Sequence, residues 1–153
     1  MRKKYVYSFG GCHADNYDFL QTVERLDLVK KDKWDLVTLG DGNPWKAKYE
    51  VFAVSISLNE MIMFGGYMNH GTTNSQDDCR NTNDAFKIRL ESDEKTLTFA
   101  DIGKLGKVAA FFWTTAPVFS NKCVYAVDYH KNLHVYDMKS DTWEISPITS
   151  EKK

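Results

Sequence analysis

The sequence predicts an all-β fold made of about three similar antiparallel sheets. Its apolar runs are short, rich in Val, Ile, Tyr, Phe and Trp, and separated by Gly, Asn, Asp and Lys, which is typical of strands joined by turns. An apolar run that ends in Phe-Gly-Gly occurs at residues 5–11 and again at 61–66. No segment carries a helical apolar pattern over three turns, so a repeated β architecture is favoured.

Composition limits the class of protein. Of 153 residues, 42% are hydrophobic and 14% aromatic, which is enough for one domain with a buried core and excludes a disordered chain. The chain has 20 basic and 21 acidic residues, and its net charge of −1 argues against binding to nucleic acid or to an anionic membrane surface. No run approaches the ~20 apolar residues of a membrane span. The N-terminal segment also lacks the long apolar stretch of a secretory signal.

The cysteines indicate a reducing compartment. Cys12, Cys79 and Cys123 are odd in number and widely spaced, which argues against a disulfide framework and favours a cytoplasmic protein. Phosphate-loop, dinucleotide-binding and nucleophile-elbow motifs are absent from the sequence. We therefore expect no cofactor.

Eleven strands are predicted. In chain order they are Tyr5–Phe9, Val23–Leu28, Trp34–Thr38, Val51–Leu58, Met61–Phe64, Ala85–Leu90, Thr96–Phe99, Ala116–Ser120, Cys123–Val127, Leu133–Asp137 and Thr142–Ile145. The second is the most ambiguous, because Val23, Leu26 and Val29 also fit a helical spacing. Its short length and the Trp34 that follows directly favour a strand.

The predicted strands fall into three repeated units. Phe9 and Phe64 open the two Phe-Gly-Gly triplets 55 residues apart, and Tyr125 aligns with them 61 residues further on. A further strand precedes the apolar run in the second and third units, so the units contain three, four and four strands. The predicted boundaries are residues 1–48 for the first unit and its linker, 49–105 and 106–146, followed by a polar tail at 147–153.

These units resemble kelch repeats, which run about 50 residues and form β-propeller blades. The resemblance covers nearly the whole chain. It rests on the paired glycines and on the Asp and Trp of the following strands: Gly10-Gly11, Gly65-Gly66, Leu26-Asp27, Trp34, Tyr136-Asp137 and Trp143. The third unit has Val127-Asp128 instead of a glycine pair, and the second unit lacks the Trp. The implied fold is a partial kelch-type β-propeller of about three four-stranded antiparallel blades, the first lacking one strand.

The repeat-defining residues are expected to build the fold and to touch no ligand. Two glycines allow positive φ and a close backbone approach where a strand ends. Trp34 and Trp143 would fill the space between neighbouring blades. Because propellers have about four to eight blades, three cannot close a ring. We expect either a longer parent chain or a second copy that completes a ring of six. In both cases this chain alone is not expected to be a stable monomer.

Two long polar loops, residues 12–22 and 67–83, are the candidate binding surface. Loops of this length are commonly functional or mobile. The predicted contact residues are two aromatic anchors and five polar side chains: Tyr17, Phe19, His13, Asp15, Asn69, His70 and Arg80.

Catalysis and metal binding are not predicted in either loop. Cys12 and His13 are neighbours in sequence and should point to opposite faces of a strand, whereas nucleophile and base must meet in space. His70, Cys79 and the intervening aspartates match no zinc-ligand spacing.

His130 and His134 have the H-x₃-H spacing that places two zinc ligands on one face of a helix. Lys131-Asn132 instead predicts a hairpin turn between strands, so the helical argument does not apply. A cross-strand pair stays possible, and two surface histidines are favoured.

The predicted function is a non-enzymatic protein–protein interaction module. The kelch resemblance implies that loops on one face of the ring bind a protein or peptide, as an adaptor or scaffold does. The alternative is a structural subunit of a larger assembly. An enzyme or small-ligand binder using the central channel is disfavoured, because the strands assigned to the inside, YVYSF, MIMF and VYAV, are largely apolar.

Overall fold

The computed structural model describes residues 5–13, 18–30, 33–69, 79–105 and 116–148. These residues form strands joined by turns, and within these ranges no helix occurs that is long and apolar enough to cross a membrane. The strands are β1 (Tyr5–Phe9), β2 (Val23–Asp27), β3 (Trp34–Leu36), β4 (Thr38–Leu39), β5 (Phe52–Ser55), β6 (Glu60–Phe64), β7 (Tyr67–Asn69), β8 (Cys79–Asn81), β9 (Asp84–Leu90), β10 (Thr96–Lys104), β11 (Val118–Ser120), β12 (Cys123–Val127), β13 (Asn132–Asp137) and β14 (Thr142–Pro147).

The strands form three main sheets and one small hairpin. The first sheet has the order β1-β2-β3, the middle sheet β4-β10-β9-β6-β5 and the third sheet β11-β12-β13-β14, while β7 and β8 pair with each other. The all-β prediction is confirmed, and each of the eleven predicted strands is present. The ambiguous Val23–Leu28 segment is a strand, paired on both sides by β1 and β3.

Strand β4 was not predicted as a separate element. The sequence suggested one strand over Trp34–Thr38, but the chain leaves the first sheet after Leu36. Val37 still donates its N–H to the carbonyl of Val23, whereas Thr38 donates to the carbonyl of Lys95. Thr38 and Leu39 then pair in parallel with β10, so the first unit supplies the edge strand of the middle sheet.

The middle sheet is buried on both faces. Along β6 the side chains alternate, as the two-residue period of a strand requires. Ile62 and Phe64 join one buried cluster with Val124 and Tyr136 of the third sheet, while Met63 joins the other with Val23. The three sheets are therefore stacked, with the middle sheet between two apolar layers.

Two of the strands assigned to the inside of a ring are not edge strands of their sheets. β6 lies between β5 and β9, and β12 lies between β11 and β13. The edge positions belong to the strands that precede them, β5 and β11. The sheet order gives the neighbours of each strand but no ring axis, so the position of MIMF and VYAV on the inside of a ring stays a prediction.

The two repeat tryptophans differ. Trp143 packs against the middle sheet, with its ring centroid 5.4 Å from that of Phe64. Trp34, on the outward face of the first sheet, is 45% exposed. The packing of Trp143 agrees with the predicted filling between neighbouring sheets. For Trp34, which is exposed in this chain, that role stays a prediction.

Candidate functional site

The two long loops leave the sheets at the same ends of the strands, after β1 and β6, and their bases form one surface. We call this surface the two-loop face and define it by residues 10–13, 18–20, 48–49, 65–69 and 79–84. The first loop begins as a short ladder in which Cys12 bridges Phe19 and His13 donates its N–H to the carbonyl of Asp18. The second begins as the β7–β8 hairpin. The described ends of both loops are therefore joined by hydrogen bonds.

The paired glycines make room for the segment that joins the loops. Gly10 has φ of 61°, and a Cβ built there would lie 2.1 Å from the carbonyl oxygen of Lys48. Gly66 has φ of 98°, and its Cβ would lie 2.6 Å from Cγ1 of Val51. Both positions require a residue without a side chain. The predicted role of the glycines, positive φ and close backbone approach, is confirmed.

Lys48 and Tyr49 connect the two loop bases through their backbones. The carbonyl of Lys48 accepts the N–H of Gly11 at 2.9 Å. Tyr49 and Tyr67 exchange two backbone hydrogen bonds, at 3.1 and 2.9 Å. One segment thus pairs with the start of the first loop on one side and of the second loop on the other.

An aromatic row reinforces this connection. The ring of Tyr49 meets that of Phe19 at a centroid distance of 4.9 Å and that of Tyr67 at 5.3 Å, both edge to face. Such pairs each contribute about 0.5–1.5 kcal/mol beyond the area they bury. The relative position of the two loop bases is therefore fixed by packing as well as by hydrogen bonds.

A buried lysine lies beneath the row. The side chain of Lys48 is only 2% exposed, and its Nζ donates to Asp84 Oδ2 at 2.7 Å and to Thr82 Oγ1 at 3.1 Å. Thr82 in turn donates its hydroxyl hydrogen to the carbonyl of Gly65 at 2.9 Å. This network ties the start of the second loop to its end.

Burial lowers the pKa of Lys48, and the hydrogen bond and charge of Asp84 oppose that shift. A buried amine of lowered pKa is a candidate nucleophile when a substrate can reach it. Here the amine is enclosed and already engaged with two acceptors. We therefore assign it a structural role, holding the base of the loop.

A groove opens beside this network. Its volume is about 750 Å³, and it runs from the β7–β8 hairpin to the far end of β10. The charged residues that line it are Lys46, Arg80, Asp84, Asp101 and Lys104. Asp84 is paired with Lys48, and Asp101 accepts the N–H of Gly103 at 2.8 Å. The cationic side chains therefore outnumber the carboxylates in the groove.

The predicted contact residues are distributed over this surface. His13 and Arg80 are exposed, and Phe19 is half-buried against Tyr49, so Phe19 joins the loops in addition to offering part of its ring to solvent. The backbone of Asn69 pairs with that of Cys79 at the base of the second loop. Asp15, Tyr17 and His70 lie outside the described residues.

The third unit ends its second strand in a different way. Asp128, in the place of the glycine pair, accepts the N–H of Asn132 at 2.8 Å, its side-chain amide at 2.9 Å and His134 Nε2 at 2.9 Å. Burial alone raises the pKa of Asp128, but the hydrogen bonds from His134 and Asn132 outweigh it and the pKa is lowered. The result is a tight turn at residues 128–131 and no long loop.

This arrangement corrects the prediction for one histidine. Lys131 lies in a turn with φ of 62°, as the predicted hairpin requires, and His130 is exposed. His134 is fully buried and bonded to Asp128, so its assignment to the surface is wrong. The sequence spacing gave no indication of this, because H-x₃-H does not say which face of β13 is buried.

No cluster of three His, Cys, Asp or Glu side chains that could hold a metal ion occurs among residues 5–13, 18–30, 33–69, 79–105 and 116–148. The thiols of Cys12 and Cys123 are free, and Cys12 directs its Sγ toward the backbone carbonyl of His13 at 3.6 Å.

Comparison of the chain with known protein-family models and with curated proteins found no match.

Sequence reasoning missed the residues that join the loops. Lys48, Tyr49 and Tyr67 stand in no motif, and Lys48 is separated from its partner Asp84 by 36 positions. A lysine in a polar stretch is normally exposed, so only the folded arrangement identifies it. The one available signal was the glycine pairs, since each marks a place where another backbone comes close.

Proposed function

We propose that this protein is a non-enzymatic interaction module, a kelch-type propeller segment that binds a protein or peptide through the two-loop face. The observation that carries the proposal is the joining of both loop bases by Lys48 and Tyr49. Loops held on a rigid base form one continuous surface, as binding loops on a scaffold do. The polar loop residues and the half-exposed ring of Phe19 supply the mixture of aromatic and polar contacts found at interfaces.

The groove gives the partner a chemical character. Lys46, Arg80 and Lys104 line it, whereas one of its two carboxylates is committed to Lys48. Arg is enriched at interface hot spots and pairs carboxylates through two parallel hydrogen bonds. A partner segment bearing acidic side chains, laid along the groove beside the β7–β8 hairpin, fits this charge distribution.

Selection from a random peptide library on the purified chain tests the proposal. We expect enriched peptides to carry Asp or Glu, and to bind less tightly as salt is raised from 50 to about 500 mM, because added ions screen exposed charges. Arg80→Ala and His13→Ala should weaken binding of those peptides. Because both side chains are exposed, the variants should fold as the wild type does.

Leu58→Ala provides the matched control. Leu58 is 83% exposed but lies in the turn between β5 and β6, at the other end of the strands from the two-loop face. Its replacement should leave peptide affinity unchanged. Two outcomes would contradict the proposed surface. One is that selected peptides bind the Arg80 and His13 variants as tightly as the wild type. The other is that only the Leu58 variant binds them less tightly.

A further inference from the structure

The first and third sheets carry equivalent rows of side chains on the same face. β1 and β12 both end where the glycine pair or its replacement begins, so Val6 corresponds to Val124 and Phe9 to Val127. The predicted alignment of Tyr125 with Phe9 and Phe64 is therefore wrong by two positions. Across the strands, Val6 pairs with Leu26 and Leu26 with Trp34, while Val124 pairs with Tyr136 and Tyr136 with Trp143. The two rows, Val6–Leu26–Trp34 and Val124–Tyr136–Trp143, therefore occupy the same positions in their sheets.

The row in the third sheet is covered by the middle sheet. Val124 and Tyr136 are buried in one cluster with Ile62 and Phe64, and Trp143 packs on Phe64. The equivalent row in the first sheet faces outward. Val6 is 44% exposed and Trp34 45%, and their neighbour Leu36 is 70% exposed. We call this surface, with Val6, Leu26, Trp34 and Leu36, the head face.

The outward face of the third sheet, at the opposite end of the stack, is equivalent to the middle-sheet surface that covers Val124, Tyr136 and Trp143. Ile62 and Phe64 correspond to Tyr125 and Val127, which lie on the outward face of the third sheet. Val54 pairs with Ile62 just as Val118 pairs with Tyr125, and Val118 is 58% exposed. We call the surface that bears Val118, Tyr125, Val127, Leu133 and Val135 the tail face.

We propose that the chain associates head to tail with a second copy, the head face of each copy packing on the tail face of the other. The contact repeats the one already made between the third and middle sheets, with Trp34 in the place of Trp143. Two such contacts related by a two-fold axis close a pair of chains into a ring of six sheets. A second copy is the partner that fits both surfaces. The head face is equivalent to the third-sheet row that the middle sheet covers, and the tail face is equivalent to the middle-sheet surface that covers it.

This contact does not depend on the proposed function. The head and tail faces are the two flat ends of the sheet stack, whereas the two-loop face lies at the ends of the strands. Variants of Arg80 or His13 should leave association unchanged, and variants of the head or tail face should leave peptide selection unchanged. The two proposals can therefore fail separately.

Sedimentation equilibrium of the purified chain from about 1 to 100 μM is the first measurement. We expect a species of twice the chain mass of 17.6 kDa. A monomer throughout this range would overturn the proposal. A continuous series of larger species would also overturn it, because it would mean that the end contact does not close on two copies.

Two charge-introducing variants locate the contact. Trp34→Glu on the head face and Tyr125→Glu on the tail face should each raise the dissociation constant by roughly 30-fold or more, as expected for a central aromatic residue of an interface. Leu58→Glu, at an exposed apolar position on neither face, should leave the dissociation constant as in the wild type. Circular dichroism establishes that each variant is folded.

Mixing the two variants distinguishes head-to-tail from face-to-face association. A Trp34→Glu copy keeps an intact tail face and a Tyr125→Glu copy keeps an intact head face, so a mixture can form one unaltered contact. We expect the mixture to associate more tightly than either variant alone. Association disrupted by one variant only, or a mixture no tighter than its components, would overturn the head-to-tail arrangement.

Discussion

The first and third sheets begin from the same sequence pattern and differ in what surrounds it. Each has an Asp at the end of its last strand but one and a Trp on its last strand. In the third sheet Trp143 packs on Phe64, whereas in the first sheet Trp34 is 45% exposed. The first sheet ends β1 in a glycine pair that launches a long loop, and the third ends β12 in Asp128, which closes a tight turn. The same sequence pattern thus gives the two residues the same position in their sheets, and the neighbouring sheet decides the environment of each.

The largest difference should appear when each Trp is removed. Trp143→Ala should lower the free energy of unfolding by about 3 kcal/mol, because it opens a gap against Phe64 and Tyr136. Trp34→Ala should lower it by less than about 1 kcal/mol when measured at a concentration low enough to keep the chain monomeric. Urea unfolding at the same low protein concentration gives both values. Equal losses would mean that the two environments do not differ.

The glycine pair that follows β1 provides the next test. Gly10→Ala should cost about 2–3 kcal/mol, because it adds a positive-φ penalty to a clash with the carbonyl of Lys48. Gly42→Ala is the matched control, since Gly42 also has positive φ, 67°, but its Cβ would meet nothing within 4 Å. That variant should cost about 1 kcal/mol. Thermal unfolding of the two variants side by side measures the contribution of the close backbone approach alone.

The stability that the turn at residues 128–131 contributes should depend on pH. The pKa of Asp128 is lowered in the folded protein from its ordinary value of 3.8, so its carboxylate contributes stability above that pH and loses it as the pH falls through the folded value. Asp128→Asn should cost about 1–2 kcal/mol at pH 7. The difference between wild type and variant should shrink below about pH 4. A difference that is constant from pH 7 to pH 3 would show that the charge of Asp128 is not what stabilises the turn.

The smallest losses of stability are expected at a turn that is built alike in the first and third sheets. Asp27 accepts the N–H of Val29 at 2.8 Å, and Asp137 accepts that of Lys139 at 2.7 Å, so each holds the turn after its strand in the same way. Asp27→Ala and Asp137→Ala should each cost about 1 kcal/mol or less. Chemical unfolding of both variants should give equal losses within experimental error. Clearly unequal losses would show that the equivalence of the two turns is only apparent.

The strands were predictable because their signal is local. Alternating apolar residues bounded by Gly, Asn and Asp mark each segment without reference to the rest of the chain, and even the ambiguous Val23–Leu28 segment followed this pattern. β4 was missed because only two residues pair, and they pair with β10 far along the chain. The hairpin β7–β8 was missed because its strands are short and polar.

The site was less predictable than the fold. Loop position and composition identified His13 and Arg80 as polar contact residues in the loops that follow the glycine pairs, and both are exposed. Lys48 and Asp84 were not identified, since their pairing depends on how two distant segments are brought together. His134 was assigned to the surface for a different reason. Its partner Asp128 is only six residues away, across a turn, but the pattern H-x₃-H carries no information about burial.

The pairing of β4 with β10 has a consequence for synthesis on the ribosome. Thr38 and Gly40 donate their N–H groups to the carbonyls of Lys95 and Leu97, which are translated well over 50 residues later. A chain released or cleaved before that point would lack the partner for this segment and would expose an unpaired strand edge to association with other nascent chains. Residues 38–40 therefore gain their strand partner only after the residues of β10 have been translated.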